Sequence, residues 1–452
     1  MGKLFGTDGV RGVANADLSC ELAMKIGAAG ASVLTSAVHM PRILLGADTR
    51  LSGDMLCAAL TAGICSVGGD VIDVGVVPTP AMAYLVRQYD ADAAVMVSAS
   101  HNSMEYNGIK WFDSKGYKLS DALEEKIEEI ILNDLPLIYP TGTRVGHAIK
   151  ARRARDQYKD FLKSKAQEWF NGLKIVLDCA NGASSGIARE VFSELGAEVH
   201  SFADEPDGNN INDRCGSTHP ERLQQLVTEL GADVGFAFDG DADRMIASDE
   251  CGNIVDGDRI MGINSIAMHQ QGRLSKDTLV ITVMSNIGLK KAMEANGIKV
   301  VETKVGDRYV LECMRDNGYS IGGEQSGHVI FLEHNTTGDG MLTAIQTLNV
   351  LKASGKRMSE LAHVVTIYPQ VLVNVIVDNA DKANAMADEE LQGVVKGIQK
   401  VLGDSGRVLV RASGTEPLIR IMLEGQDVKL IGEQAVTIAD VLVKKYKGRI
   451  KE

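Results

Sequence analysis

Short apolar, β-branched runs alternate with segments of helical period along the whole chain. Leu22, Ile26, Ala29 and Val33 recur at helical spacing and share one face. A strand-like run follows at Arg42–Leu45, then a helix around Asp54–Ser66, then an apolar run at Asp70–Val77. Strands alternating with helices predict an α/β chain. Four strand-like runs each lead into a polar, glycine-bearing or hydroxyl-bearing loop. Ala93–Val97 leads into Ser98–Asn102, and Val234–Phe238 into Asp239–Arg244. Tyr319–Ile321 leads into Gly322–His328, and Arg407–Val410 into Arg411–Pro417. Ligands of open α/β sheets sit beyond the carboxyl ends of strands, so one loop per module predicts four modules around one cleft. Breaks near positions 150, 252 and 366 give modules 1–150, 151–252, 253–366 and 367–452. The basic stretch Lys150–Lys165 reads as a linker entering a helix, and Asn379–Leu402 as a helix of the last module.

Composition narrows the function classes. The chain has 452 residues, 45 % hydrophobic and 24 % charged, enough for several cores. A formal net charge of −13 argues against a nucleic-acid partner. The 7 cysteines form no CxxC pair and are odd in number, which suits a reducing compartment and gives no zinc signature. The first residues lack the apolar core of a signal peptide, and Gly6 stands where a myristoylation site needs Ser or Thr. No apolar run reaches the length of about 18 residues that a membrane span needs. The expectation is a soluble, cytoplasmic protein with no membrane partner.

The four loops carry the chemistry. Asp239, Asp241 and Asp243 alternate, so their carboxylates can converge on one side of an extended turn. Three hard oxygen donors so close call for Mg²⁺ or Ca²⁺. An EF-hand loop competes, but Arg244 occupies the position that needs glycine and a strand-like run precedes it. A solvated acidic turn is the plainer alternative. Ser100 lies between a strand and His101–Asn102; a nucleophilic serine needs such a neighbour, and Lys110 is near in sequence. Ordinary turn chemistry would also place serine there, and a hydrolase triad would want a G-x-S-x-G elbow that the loop lacks. Gly322–His328 offers Glu324, Gln325, Ser326 and His328, a set able to bond sugar hydroxyls or simply to make a polar turn. Arg411, Ser413, Gly414 and Thr415, with Arg420, combine guanidinium, hydroxyl and backbone donors as phosphate sites do. Arg11 and Arg50, in glycine- or serine-flanked turns, are further cations.

With these loops in this order, the chain resembles the α-D-phosphohexomutase superfamily, and within it the bacterial branch acting on glucosamine phosphates. The resemblance runs from Phe5–Gly12 through Ser98–Asn102, Asn210–Asn212, Cys215–Pro220, the acidic loop, Val305–Tyr309 and Gly322–His328 to Arg411–Gly425. It implies four α/β-type domains around a central cleft, three alike and a smaller C-terminal α+β one. It implies a phosphoserine at Ser100 and Mg²⁺ held by Ser100, Asp239, Asp241 and Asp243. His101, Lys110, Arg11 and Arg244 would line the reaction centre. Glu324 and Ser326 would bind the sugar, and Arg411, Ser413, Gly414, Thr415 and Arg420 the other phosphate. The implied reaction interconverts glucosamine 6-phosphate and glucosamine 1-phosphate, an isomerase-class transfer that supplies UDP-N-acetylglucosamine and cell-wall precursors. A glucosamine or glucose 1,6-bisphosphate would be intermediate and activator. A sugar phosphate is then the partner, and a homodimer is left open. A phosphoglucomutase or phosphomannomutase is the alternative within the class; a phosphosugar phosphatase and a non-catalytic sensor lie outside it. One departure is Ser103, where the family usually has a proline that would stiffen the loop.

Overall fold

The expected strands Ala93–Val97 and Val234–Phe238 are buried along their whole length, as is the strand Thr278–Thr282, in keeping with parallel sheets covered on both faces. The computed structural model describes residues 4–6, 8–34, 40–413 and 416–451. These fall into two units, one taking the chain to Met284 together with Asn296–Val364, the other Ser285–Ala295 with the chain from Val365 onward.

The first unit holds three sheets built to one plan. In the first, Arg42–Ala47 is flanked by parallel Asp70–Val76 and Ala93–Val97, and Tyr106–Asp113 then runs antiparallel beside Ala93–Val97. In the second, Lys174–Asp178 is flanked by parallel Glu198–Phe202 and Val234–Phe238, with Met245–Asp249 antiparallel beside the latter. In the third, Thr278–Thr282 is flanked by parallel Lys299–Thr303 and Ile321–Gly323, with Val329–Phe331 antiparallel beside the latter. Each sheet is thus one four-strand topology, extended by Val10–Val13 and Ala148–Lys150 in the first and by Ile254–Val255 in the second. No close sequence repeat announces this; the repeat lies in topology. In all three, the loop between the third and fourth strands is a candidate site loop.

Two expectations shift within this unit. Gly322 and Gly323 belong to a strand rather than to the following loop, pairing with Val280 and Ile281 on one side and Ile330 and Val329 on the other. A Cβ on Gly322 would lie 2.8 Å from Met314 Sδ and from the Val280 carbonyl oxygen, so close packing of helix on sheet, not turn geometry, selects glycine. Lys150–Lys165 is less a linker than the end of strand Ala148–Lys150 and the helix Ala154–Lys163, which buries Tyr158, Phe161 and Leu162.

The second unit is a four-stranded antiparallel sheet in the order Gly406–Ala412, Leu418–Gly425, Gln370–Ile376, Arg449–Ile450. Helices Glu389–Leu402 and Val428–Tyr446 bury Leu391, Ile398, Leu402, Ile431, Ile438 and Leu442 in its core. The stretch Asn379–Leu402 is two helices, Lys382–Ala387 and Glu389–Leu402. Asp388 breaks it by leaving helical geometry and accepting hydrogen bonds from the Glu390 and Leu391 amides. Arg411 is a strand residue, not a loop residue. Among the described residues no helix is long and apolar enough to cross a membrane.

Candidate active site

The serine loop is held by buried charge. Ser100 is buried and has φ of 53°, a left-handed conformation that only local bonding makes tolerable for serine. Its amide donates to Ser98 Oγ (3.0 Å), and Ser98 Oγ donates to Asp48 Oδ2 (2.6 Å). Arg50, a further candidate cation in the sequence, is buried and structural. Its Nε donates to Asp48 (3.0 Å), and its guanidinium donates to the carbonyls of Ser100 (2.9 Å), Asn102 (2.8 Å), Tyr106 (3.1 Å) and Ser103. That bond also gives Ser103 an anchor that proline rigidity would otherwise supply. So fixed, Ser100 Oγ donates to Asp239 Oδ2 at 2.7 Å and lies 3.3 Å from His101 Nδ1.

The acidic loop presents Asp239, Asp241 and Asp243 with ligand oxygens within 4.8 Å of one another, all buried. Part of each carboxylate is tied to protein. Asp239 Oδ1 accepts from the Arg244 amide (3.2 Å), and Asp241 Oδ2 from Thr79 Oγ1 (2.6 Å) and Lys110 Nζ (2.9 Å). Asp243 Oδ2 faces His328 Nδ1 at 3.6 Å. Asp241 Oδ1 and Asp243 Oδ1 are buried with no hydrogen-bond partner among the described residues. A buried anionic oxygen without a donor is costly unless a cation meets it. Arg244 Nε lies 3.8 Å from Asp243 Oδ1, beyond hydrogen-bond reach, and Asp241 Oδ1 has no donor among the described residues, so this donor set fits a hard divalent ion. Burial, then the Asp243 and Asp241 charges, push Asp239 well above the usual carboxylate range. Burial works the same way on Asp243, but His328, Lys110 and Arg244 outweigh it and hold that carboxyl low.

Sheet register sets the cations. Arg11 pairs with Gly108, two residues from Lys110, so both side chains leave one face of neighbouring strands. Asp8 accepts from Arg11 and Lys118 and forms an ion pair with Lys110 (3.1 Å), and Lys118 also pairs with Asp307. Asp8, Arg11, Lys118 and Asp307 line a cavity of about 420 Å³ with Asp243, Arg244, Gly306, Glu324 and His328, a volume suited to a small ligand. Arg11 Nε and Arg244 Nε are buried without hydrogen-bond partners among the described residues, Arg244 Nε lying 3.8 Å from Asp243 Oδ1, and both leave a donor for an anionic ligand. Glu324 Oε1 accepts from the Gly306 amide (3.0 Å), and Ser326 is exposed. His328 is no surface sugar contact. It is buried, its Nε2 accepts from the Gly338 amide (3.1 Å), and its Nδ1 faces Asp243. His101 is pushed down to about 4 by burial and the nearby Arg244 and Arg11, so its ring is neutral at pH 7.

The phosphate-type cluster lies in the second unit. Arg411 and Arg420 stand directly opposite on paired strands, a like-charge arrangement that an anion relieves; Arg420 Nη2 donates to Glu416 Oε2 at 2.8 Å. Burial and Arg420 lower the Arg411 pKa, and Arg420 Nε is buried without a hydrogen-bond partner among the described residues. Ser413 Oγ accepts from the Glu416 amide (3.1 Å), and Lys382 Nζ donates to the carbonyls of Ser413 (2.7 Å) and Glu416 (3.0 Å). Gly414 and Thr415 lie outside the described residues.

The structure therefore gathers Ser100, His101, Lys110, Arg11, Arg244, Glu324 and the three aspartates in the first unit, and Arg411, Ser413 and Arg420 in the second. Sequence reasoning assigned nothing to Asp8, Thr79, Lys118, Asp307 or Lys382. Asp8 and Asp307 sit inside Phe5–Gly12 and Val305–Tyr309, stretches already singled out; Thr79, Lys118 and Lys382 carry no sequence signal.

Four domain families of the phosphoglucomutase/phosphomannomutase type match in order. Alpha/beta/alpha domain I matches residues 2–136, domain II residues 156–252, domain III residues 256–368 and the C-terminal domain residues 372–441. Phosphoglucosamine mutase of Acetivibrio thermocellus is 56% identical over 444 residues, covering 98% of this chain and 99% of that protein. The phosphoglucomutase/phosphomannomutase family protein of Burkholderia thailandensis superposes with a TM-score of 0.84 at 25% identity, covering 100% of both chains. Aspergillus fumigatus N-acetylphosphoglucosamine mutase, solved with GlcNAc-6P and magnesium, shares the fold at a TM-score of 0.69 and 18% identity, covering 99% of this chain and 96% of that one. With four domain matches in order and a relative at that identity from end to end, the chain belongs to the phosphoglucomutase/phosphomannomutase family of phosphohexomutases, isomerase-class enzymes.

Proposed function

We propose that this enzyme interconverts glucosamine 6-phosphate and glucosamine 1-phosphate by passing a phosphoryl group through Ser100. The observation that carries the reading is the 2.7 Å bond from Ser100 Oγ to Asp239, inside a cluster with two buried carboxylate oxygens that no described residue hydrogen-bonds. A phosphoserine carries about −1.5 to −2 charges at pH 7, so beside three carboxylates it is tolerable only with a cation between them. Asp239, Asp241, Asp243 and a Ser100 oxygen would hold Mg²⁺, the metal solved with the Aspergillus fumigatus enzyme. Bound there, Mg²⁺ would neutralise charge on the transferring phosphoryl group. The choice of glucosamine rests on the name of the full-length relative.

In the forward half-reaction a sugar hydroxyl takes the phosphoryl group from phospho-Ser100. The P–Oγ bond breaks, a P–O bond to the sugar forms, and the hydroxyl proton ends on Ser100 Oγ. Reversal from the other phosphate of the 1,6-bisphosphate restores phospho-Ser100. Lys110, Arg11 and Arg244 stabilise phosphoryl charge, His101 stays neutral beside Ser100, and Glu324 and Ser326 hold sugar hydroxyls. Arg411, Ser413, Gly414, Thr415 and Arg420 grip the phosphate that is not reacting. We take the four sheets as four domains, breaking near residues 150, 252 and 366. The 7 cysteines, all free, support a reducing, cytoplasmic setting.

A coupled assay across hexose and hexosamine 1- and 6-phosphates tests the reading, with intact-mass analysis of freshly purified protein. Glucosamine phosphates should give the highest kcat/KM, and a phosphorylated fraction should map to Ser100. Ser100→Ala should keep only residual turnover. Near-normal mutase activity in that variant would refute the covalent route, and net release of phosphate would make the enzyme a phosphatase.

A further inference from the structure

Asn212 reaches from the second sheet's loops into the serine loop of the first. Its Nδ2 donates to the carbonyls of Ser100 (2.9 Å) and Asn102 (2.9 Å), the two oxygens that Arg50 Nη2 also binds. Two carbonyl acceptors fix the amide with its NH₂ toward the serine. The backbone of Asn212 is fixed in turn. Its own amide donates to the Ala180 carbonyl (2.9 Å), while the Ala180 amide donates to buried Asp178 (2.9 Å). Arg50 cannot set the Ser100–Asp239 distance alone, because it and Ser100 both belong to the first sheet's segments, whereas Asp239 follows a strand of the second.

We propose that Asn212, acting with Arg50, is a positioning residue for phosphoryl transfer: it bolts the Ser100 carbonyl to the sheet that carries the acidic loop. The left-handed turn at Ser100 and the placing of its Oγ against Asp239 are then one device, assembled before substrate arrives. Misplacing a reacting group by about 1 Å can cost about 10²-fold in rate, so loosening this bolt should act on transfer and not on sugar binding. The inference rests on the reading of Ser100 as phosphate carrier.

Two variants separate side chain from backbone. Asn212 has φ of 57°, so Asn212→Gly keeps that conformation without strain and removes both bonds. Asn212→Asp keeps the shape but turns an oxygen toward two carbonyl oxygens. The test measures single-turnover phosphorylation of Ser100 by glucose 1,6-bisphosphate, steady-state kcat and KM, and thermal midpoint. Phosphorylation and kcat should both fall about 10- to 100-fold, more in Asn212→Asp, with KM for glucosamine 6-phosphate within about threefold and the midpoint of Asn212→Gly near wild type. Phosphorylation within about twofold of wild type in Asn212→Gly overturns the inference, as does a rise in KM at unchanged kcat. If Asn212→Asp fails to fold, Asn212→Gly alone decides. Absence of phospho-Ser100 in the wild-type enzyme would instead sink the underlying reading.

Discussion

Replacing Asp241 by asparagine tests the metal site at its most informative oxygen. Thr79 Oγ1 and Lys110 Nζ both donate to Asp241 Oδ2, so the asparagine must turn its carbonyl oxygen to them. Its NH₂ then occupies the place of Oδ1, the orphaned oxygen. The variant therefore loses a charge and also aims a donor at the cation. Wild-type enzyme at 100 times its Mg²⁺ dissociation constant gains about 2.7 kcal/mol of folding stability. For a cooperative unit of about 350 residues that is a thermal shift of about 4 °C. Asp241→Asn should show less than about 1 °C, with kcat lower by about 10³-fold. Without Mg²⁺ the variant should lie within about 1 kcal/mol of wild type. One carboxylate fewer relieves repulsion among groups within 4.8 Å, while buried Lys110 keeps Asp8 at 3.1 Å. Differential scanning fluorimetry across a Mg²⁺ titration, beside the coupled assay, reads both effects. An undiminished Mg²⁺ shift in the variant, or full wild-type turnover in excess chelator, would refute the reasoning.

Three further outcomes follow from the same geometry. His101 is held at about 4, below its ordinary 6.5, so the fold favours the neutral ring. Its contribution is complete above about pH 6.5 and drains away toward pH 4, by about 1–2 kcal/mol after allowing for partial exposure; His101→Gln should flatten that slope in urea titrations, and an unchanged slope would count against it. Asp8→Asn should take from Arg11 its carboxylate partner, while Lys110 keeps Asp241 and Lys118 keeps Asp307, costing about 1–3 kcal/mol and a fall in thermal midpoint that an unchanged or raised midpoint would contradict. Arg411→Ala separates two opposed cations, so it should leave stability intact while KM rises about 10- to 100-fold and kcat falls less; equal turnover of unphosphorylated sugars would rule the clamp out.

What was legible in the sequence followed from contiguity. Strands buried on both faces write unbroken apolar runs, so Ala93–Val97 and Val234–Phe238 read correctly to the residue. Ser100 and the aspartates read as chemistry because each set is local. Asp8, Lys118 and Asp307 did not, since they acquire meaning only when segments 110 and 189 residues apart meet. Thr79 begins a helix and gives no sign that its hydroxyl orients Asp241. The role of Arg50 was not legible because a charged residue in a turn resembles a surface group, whereas here it satisfies loop carbonyls inside the protein.

Glycine was the hardest residue to read, because its absence of a side chain looks like a turn whether the cause is conformation or crowding. Gly240, between the first two aspartates, shows the difference. Its φ is not in the left-handed region, so alanine would suit its backbone. A Cβ there, however, would lie 2.6 Å from the Ser100 carbonyl oxygen and 2.8 Å from Asn212 Nδ2. The first neighbour is backbone and the second is bonded to it, so neither can give way alone. Gly240→Ala must therefore push the serine loop away from the acidic loop and stretch the 2.7 Å Ser100–Asp239 bond. Overpacking of this kind costs about 1–3 kcal/mol, a tolerable loss for the fold. Displacement of the reacting oxygen by even about 1 Å should cost about 10²-fold in kcat. Activity should thus collapse in a protein that still folds. If Gly240→Ala kept wild-type kcat, the two loops would not be joined as tightly as these contacts require, and the account of Ser100 and Asp239 as one preassembled site would fail.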